Sequence, residues 1–189
     1  MKSAFIFLAD GFEDIEALGT LDILRRGGVS ARTVSISNNP EVTSAHGVTV
    51  RADVLLDDFF DEGLAPEDAL VFPGGMPGAA HLAACEPLMM LMQAHYEDGG
   101  LVAAICAAPG LVLSQLKGIS GATVTCFDGF EGYLEKAGAR FEPRPAICSG
   151  RIITGRSAGH ALSFGLEIVA KIRPEKVDEV RHALYLETI

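Results

Sequence analysis

The sequence predicts an α/β sandwich built around a largely parallel sheet. Short apolar runs alternate along the chain with segments in which apolar residues recur at helical spacing. With no internal repeat or linker, 189 residues of which 49% are hydrophobic are expected to form one domain, residues 1–189. Ligands of such folds bind beyond the carboxyl ends of the parallel strands. We therefore expect the functional residues at that edge of the sheet.

The first half of the chain begins with a strand–loop–helix unit. Residues 4–9 are an apolar run typical of a buried strand, and the helical spacing that follows at 13–26 ends at two glycines. We also predict strands at 31–36 and 69–72, and a small hairpin that pairs 42–44 with 48–50.

The second half repeats the alternation. The run at 101–105 is continuously apolar, as expected of a strand covered on both faces. The other predicted elements are a strand at 122–126, a hairpin that pairs 146–148 with 152–154, and helices at 87–98, 108–116, 131–137, 158–171 and 174–185.

Composition excludes several classes of partner. Fifteen basic and twenty-five acidic residues give a net charge of -10, which repels nucleic acids and anionic membranes. No segment has the apolar length of a membrane span, and the first apolar run is too short for a signal peptide. The four cysteines lack a C-x-x-C pair and metal-ligand spacing. We expect a cytoplasmic protein with free thiols, no metal and no cofactor.

Cys106 stands where the buried strand 101–105 turns into a helix that begins with small residues. The backbone N–H groups at a helix start have no partner within the helix and attract negative charge. A thiol there is expected to have a pKa below its usual value of about 8.5 and to react as a thiolate. The alternative is a buried structural cysteine, which is the common fate of this residue type.

Two other predicted strands also end in candidate functional residues. Glu13 and Glu16 lie one helical turn apart after the first strand, and Glu16 lies close to the apolar stripe of its helix. A carboxyl group that faces the core has a raised pKa and, once protonated, can donate a hydrogen bond to a thiolate. Gly74 and Gly75 offer open N–H groups that, with the N–H of Ala107, would form an oxyanion site. A stabilised helix start and an ordinary turn are the alternatives.

Four segments carry a family pattern when they are taken together. They are ADGFEDIE at 9–16, VFPGG at 71–75, AICAAP at 104–109 and TGR at 154–156. In order and spacing they resemble the ThiJ/PfpI superfamily, and within it the DJ-one branch, over essentially the whole chain. The resemblance implies a flavodoxin-like three-layer sandwich with a mostly parallel sheet and small hairpin insertions, usually assembled as a homodimer.

The resemblance also implies roles for individual residues. Cys106 would be the nucleophile, Glu16 the protonated carboxyl group beside it, and Gly75 and Ala107 the oxyanion donors. Auxiliary roles fall to Gly74, to Arg156 as a structural or anion-binding group, and to Cys126, which stands where mammalian members have a histidine near the nucleophile.

Two departures argue against other reactions of the superfamily. The protease-like branch has a histidine directly after the nucleophile, where this chain has Ala107. Glutamine amidotransferases need glycines on both sides of the nucleophile and a late His-x-Glu pair, whereas His160 is followed by Ala161 and Leu162. Peptidase and amidotransferase activities are therefore not expected, and His160 fits a capping or solvated role better than a catalytic one.

Two functions of different class remain open. The first is a cofactor-independent glyoxalase III or deglycase, in which Cys106 adds to a small α-oxoaldehyde such as methylglyoxal or to its adduct on a protein. The second is a redox-sensing, stress-protective chaperone that uses oxidation of Cys106 to sulfenic and sulfinic acid. The missing histidine weakens the first function and leaves the second untouched.

Overall fold

A computed structural model describes residues 2–186. Its strands, in chain order, are β1 (Ser3–Leu8), β2 (Ser30–Ser35), β3 (Glu41–Thr43), β4 (Thr49–Arg51), β5 (Val54–Leu55), β6 (Ala69–Phe72), β7 (Leu101–Ile105), β8 (Thr123–Val124), β9 (Arg140–Phe141), β10 (Ala146–Ser149) and β11 (Ile152–Gly155).

Helices connect most of these strands. They are α1 (Thr20–Arg26), α2 (Leu56–Glu62), α3 (Gly78–Ala84), α4 (Glu86–Glu97), α5 (Ala108–Leu111), α6 (Glu131–Lys136), α7 (Ala161–Ile172) and α8 (Val177–Ala183). A π-helical turn, Ile15–Gly19, leads directly into α1. Short 3₁₀ turns follow α5 at Leu113–Gln115 and precede α7 and α8 at Ala158–His160 and Pro174–Lys176.

The predicted parallel sheet is confirmed. Seven strands lie in the order β10-β11-β7-β6-β1-β2-β5, and every neighbouring pair except β10 and β11 is parallel. The chain runs outward from β1 in both directions, through β2 on one side and β6 on the other. The loops after β1, β6 and β7 therefore leave from adjacent strands at the carboxyl edge of the sheet.

The core has two apolar layers, one on each face of the sheet. Alternate residues of β1 enter opposite layers: Phe5 and Phe7 pack with α2, α3 and α4, whereas Ile6 and Leu8 pack with α1 and α7. The result is the expected helix–sheet–helix sandwich. Within the described residues, no helix has both the length and the apolar content needed to cross a membrane.

The hairpins and short elements depart in part from the predictions. The hairpin at 42–44 and 48–50 forms as β3 and β4 in a small sheet of its own. The one at 146–148 and 152–154 also forms, but β11 pairs with β7 and so extends the main sheet.

Four short elements were not predicted from the sequence: β5, β9, α2 and α3. The predicted strand at 122–126 shrinks to β8, which pairs with β9, and the predicted helix at 108–116 is α5 followed by a 3₁₀ turn. Two-residue strands are set by pairing partners far along the chain, so local periodicity does not reveal them.

Candidate active site

The strand order brings the predicted site residues together. β1, β6 and β7 are neighbours, and they lead into Glu16, Gly74–Gly75 and Cys106, respectively. Backbone hydrogen bonds connect the loops, since Glu13 N–H donates to the Gly74 carbonyl at 3.0 Å. Gly74 is hydrogen-bonded to Glu16, and the side chains of Glu16 and Cys106 interact with each other.

The backbone of Cys106 is held in a conformation that non-glycine residues rarely adopt, with φ at 67°. Its N–H donates to the Gly155 carbonyl at 3.0 Å, and its carbonyl accepts from Phe127 N–H at 2.8 Å. Such strain costs on the order of 1–3 kcal/mol and tends to occur at functional sites. The strained residue lies directly after the end of β7 at Ile105, just before α5 begins, and its side chain is half-buried.

Glu16 lies on the π-helical turn and is 1% exposed. Its Oε2 accepts a hydrogen bond from Gly74 N–H at 2.8 Å, whereas Oε1 is buried and has no partner within residues 2–186. Burial, helped by the charge of Glu13, raises the pKa of Glu16 to about 7. The side-chain interaction with the Cys106 thiol opposes this rise. Glu16 can therefore hold or release a proton near neutral pH.

Gly74 and Gly75, which follow β6, have no room for a side chain. A Cβ atom on Gly74 would lie 2.6 Å from Cys106 Cβ and 2.6 Å from Glu16 Oε2. Gly75 has φ at 88°, and a Cβ atom there would lie 2.5 Å from the Gly11 carbonyl oxygen. The turn is thus more than an ordinary chain reversal, because it lets the backbone approach the thiol and the carboxyl group closely.

The pKa of the Cys106 thiol differs from the value expected from the sequence. Burial, followed by the charge and hydrogen bonding of Glu16, raises the pKa of Cys106 to about 12, whereas the N–H groups of Gly75 and Ala107 lower it. The strand–helix corner alone predicts a lowered pKa, and that prediction is wrong. It considered the backbone N–H groups but omitted the desolvation and the negative neighbour, which have the larger effect.

Glu16 and Cys106 therefore behave as one coupled acid. With pKa values of about 7 and about 12, the pair holds a single proton across most of the range between them. That proton can reside on sulfur or on the carboxyl group. When it is on Glu16, the sulfur is a thiolate supported by the N–H groups of Gly75 and Ala107. The arrangement can deliver a nucleophile and an adjacent acid at neutral pH.

Two of the auxiliary residues, Arg156 and Cys126, come from other parts of the chain than Glu16 and Gly74. Arg156 follows β11, donates to the Asp128 carboxylate through Nη2, and keeps Nη1 buried without a hydrogen-bond partner in the described part of the chain. Cys126 is completely buried, and burial raises its pKa to about 12. Such a thiol cannot replace a histidine as a base near neutral pH. Glu16 is the group with the suitable pKa.

The remaining histidine candidates have local partners. His160 occupies the N-cap position of α7, but its side chain makes no capping hydrogen bond; Nδ1 lies 3.1 Å from the Ser157 hydroxyl instead. His46 Nδ1 lies 2.6 Å from Asp14 Oδ2, and the hydrogen bond and charge of Asp14 raise the pKa of His46. Ligand-type atoms of Glu13, Asp14 and His46 lie within 4.8 Å of one another, but they are engaged in hydrogen bonds, so we assign no metal to them.

Comparison with known proteins gives consistent matches. A model of the DJ-1/PfpI family matches residues 2–171. Glutathione-independent glyoxalase DJR-1.2 of Caenorhabditis elegans is 34% identical over 187 residues, covering 98% of this chain and 97% of the worm protein. The crystal structure of Drosophila melanogaster DJ-1beta superposes with a TM-score of 0.89 at 29% identity, covering 97% of each chain.

Some relatives are much longer than this chain. Protein DJ-1 homolog B of Arabidopsis thaliana is 34% identical over 186 residues, which is 98% of this chain but 42% of the plant protein. The chain also spans 47% of Arabidopsis homolog A. The activities and partners of those longer proteins therefore do not transfer directly.

Proposed function

The chain belongs to the DJ-1/PfpI family, and on that premise we propose that it is a cysteine-dependent, cofactor-independent glyoxalase acting on small α-oxoaldehydes. The observation that carries the proposal is the buried Glu16 carboxyl group, with a pKa of about 7, beside the strained Cys106. The worm relative that is named a glutathione-independent glyoxalase supports the reaction class. In the proposal Cys106 and Glu16 are catalytic, Gly75 and Ala107 donate to the developing oxyanion, and Gly74 and Arg156 assist.

The first step adds the thiol to methylglyoxal. The Cys106 sulfur forms a bond to the aldehyde carbon while its proton passes to Glu16, and the carbonyl electron pair becomes an oxyanion. The N–H groups of Gly75 and Ala107, which interact with the sulfur, are placed to bind that oxygen. Glu16 then gives its proton to the oxyanion, which produces a hemithioacetal and leaves Glu16 as a carboxylate.

The second step moves hydrogen within the substrate. The Glu16 carboxylate removes the proton from the former aldehyde carbon and returns it to the adjacent ketone carbon through an enediol. The first carbon is oxidised to a thioester and the second is reduced to an alcohol, so no external redox partner is needed. Water then cleaves the thioester, releasing lactate and the Cys106 thiol.

The same chemistry extends to adducts of methylglyoxal on protein amines or thiols, in which the attacked carbon is a hemiaminal or hemithioacetal. In a deglycase, the Cys106 sulfur would form its bond to that carbon as the C–N or C–S bond to the protein breaks, and the departing amine or thiol would take up the proton of the Cys106 thiol. The remaining hemithioacetal on Cys106 then gives lactate by the second step. The homodimer, the single-domain extent and the cytoplasmic location remain predictions from the sequence.

A redox role is the second candidate, and one observation favours it. Oε1 of Glu16 is buried and has no hydrogen-bond partner among the described residues, so a protonated Glu16 has a free donor position. Cys106 would be oxidised by two equivalents of hydrogen peroxide, each giving one oxygen to sulfur and leaving as water. A Glu16→Leu variant should change the ratio of sulfenic to sulfinic product; an unchanged ratio by peptide mapping would remove this role for Glu16.

The proposal is tested by measuring lactate formed from methylglyoxal. Wild type and Cys106→Ala are compared with Cys148→Ala, which removes an exposed thiol away from the site. We expect lactate from wild type and the control but none above background from Cys106→Ala. Equal activity in all three proteins would refute the proposal.

A further inference from the structure

Glu13 is a half-buried carboxylate whose side chain lies one turn before Glu16. It has no part in the proposed reaction steps. It is nevertheless connected to Gly74 and Glu16 through its backbone, its side chain and its charge.

Three hydrogen bonds form a closed ring around Glu13, Glu16 and Gly74. Glu13 N–H donates to the Gly74 carbonyl at 3.0 Å, and Gly74 N–H donates to Glu16 Oε2 at 2.8 Å. Glu16 N–H in turn donates to Glu13 Oε2 at 2.7 Å. Because each residue gives and accepts one bond, displacing any of them moves the other two. The ring fixes Oε2 of Glu16, whereas Oε1 has no hydrogen-bond partner among residues 2–186.

The charge of Glu13 acts on the same carboxyl group. It opposes ionisation of Glu16, and after burial it is the second influence that raises the pKa of Glu16. The other titratable groups that face this region are Asp14 on the same turn, His46 on the β3–β4 hairpin, and Cys106 at the end of β7. His46 is hydrogen-bonded to Asp14, and the charge of Glu13 makes a smaller contribution to the raised pKa of His46.

We propose that Glu13 is a positioning residue, which orients the Glu16 carboxyl group through the hydrogen-bond ring. The negative charge of Glu13 also opposes the loss of a proton from the Glu16–Cys106 pair. The inference rests on the proposed function only in taking Glu16 as the proton carrier. Glu13 itself contacts no substrate.

The test separates the hydrogen bond from the charge. Glu13→Gln keeps an acceptor oxygen and removes the charge, whereas Glu13→Ala removes both. Asp22→Asn is the matched control, since Asp22 is an exposed carboxylate on α1 that pairs with Arg26. The readout is the rate at which iodoacetamide, a neutral reagent, alkylates Cys106 between pH 5 and 9, followed by mass spectrometry of the Cys106 peptide.

For Glu13→Gln we expect the midpoint of the pH profile to fall by roughly half a unit to one unit, as the loss of one nearby charge predicts, with little change in the plateau rate. For Glu13→Ala we expect the same fall together with a lower plateau, because the ring is broken. An unchanged midpoint in Glu13→Gln, or an equal shift in Asp22→Asn, would overturn the inference. Since alkylation does not require turnover, a protein that makes no lactate but shows these shifts would refute the proposed function alone.

Discussion

The reactivity of Cys106 should follow the ionisation of Glu16. The pair gains its reactive, singly protonated form as Glu16 loses a proton with a pKa of about 7. The fraction in that form is about 1% at pH 5, about half at pH 7 and about 90% at pH 8. We therefore expect alkylation of Cys106 to rise roughly 90-fold between pH 5 and 8 and then to level off.

An internal control is available in Cys148, an exposed free cysteine. Partial desolvation raises the pKa of the Cys148 thiol above its usual value. Because no carboxyl group shares the proton of this thiol, the rate of Cys148 alkylation should keep rising through pH 9. Both rates come from one experiment, in which iodoacetamide labelling is quenched over time and the two peptides are quantified by mass spectrometry.

Glu16→Gln removes the proton acceptor while keeping the size of the side chain. The plateau above pH 7 should disappear and the rate of Cys106 alkylation should keep rising with pH, because no carboxyl group then shares the proton of the thiol. Since the charge of Glu16 raises the pKa of Cys106, its removal should also lower that pKa. Parallel profiles for Cys106 and Cys148 in wild type, or an unchanged Cys106 profile in Glu16→Gln, would refute the coupled pair.

Three further predictions concern neighbouring positions. Gly74→Ala should abolish lactate formation and lower the midpoint of thermal unfolding, because the new methyl group overlaps the side chains of Cys106 and Glu16; retention of both properties would contradict this packing. Cys126→His should raise turnover in the lactate assay by supplying a base. Because the Cys126 side chain is fully buried, the larger ring should lower the free energy of unfolding by about 1–3 kcal/mol, as measured in urea. Glu16→Gln should be more stable than wild type at pH 8 by about 3 kcal/mol and show little difference at pH 4, as measured by urea unfolding. A carboxyl group whose pKa is raised from 4.5 to about 7 contributes stability below pH 4.5, and this stability is lost as the pH rises through 7.

The location of the site follows from the sequence, and the reason is topological. Glu16, Gly74 and Cys106 each follow an apolar run, and parallel strands place their carboxyl ends at one edge of the sheet. The prediction therefore needed only the type of each element and no details of packing. It would have failed if β1, β6 and β7 had not been neighbours.

The pKa of Cys106 could not be predicted in the same way. It depends on burial by residues from distant parts of the chain and on a carboxyl group 90 positions earlier in the sequence, at Glu16. The helix α3 was missed because its sequence, GAAHLAA, contains few large apolar residues and so shows no amphipathic pattern. The pairing of β11 with β7 was not predicted, because a hairpin pattern in the sequence does not show which other strand will pair with the hairpin.

The most direct test of the account is to trap the covalent intermediate on Cys106 during turnover. Samples of wild type mixed with methylglyoxal are acid-quenched over time, and the Cys106 peptide is analysed alongside lactate. The account predicts a substrate adduct on Cys106 that forms before lactate and decays as fast as lactate appears. Lactate formed with Cys106 unmodified throughout, or an adduct that outlives turnover, would contradict it.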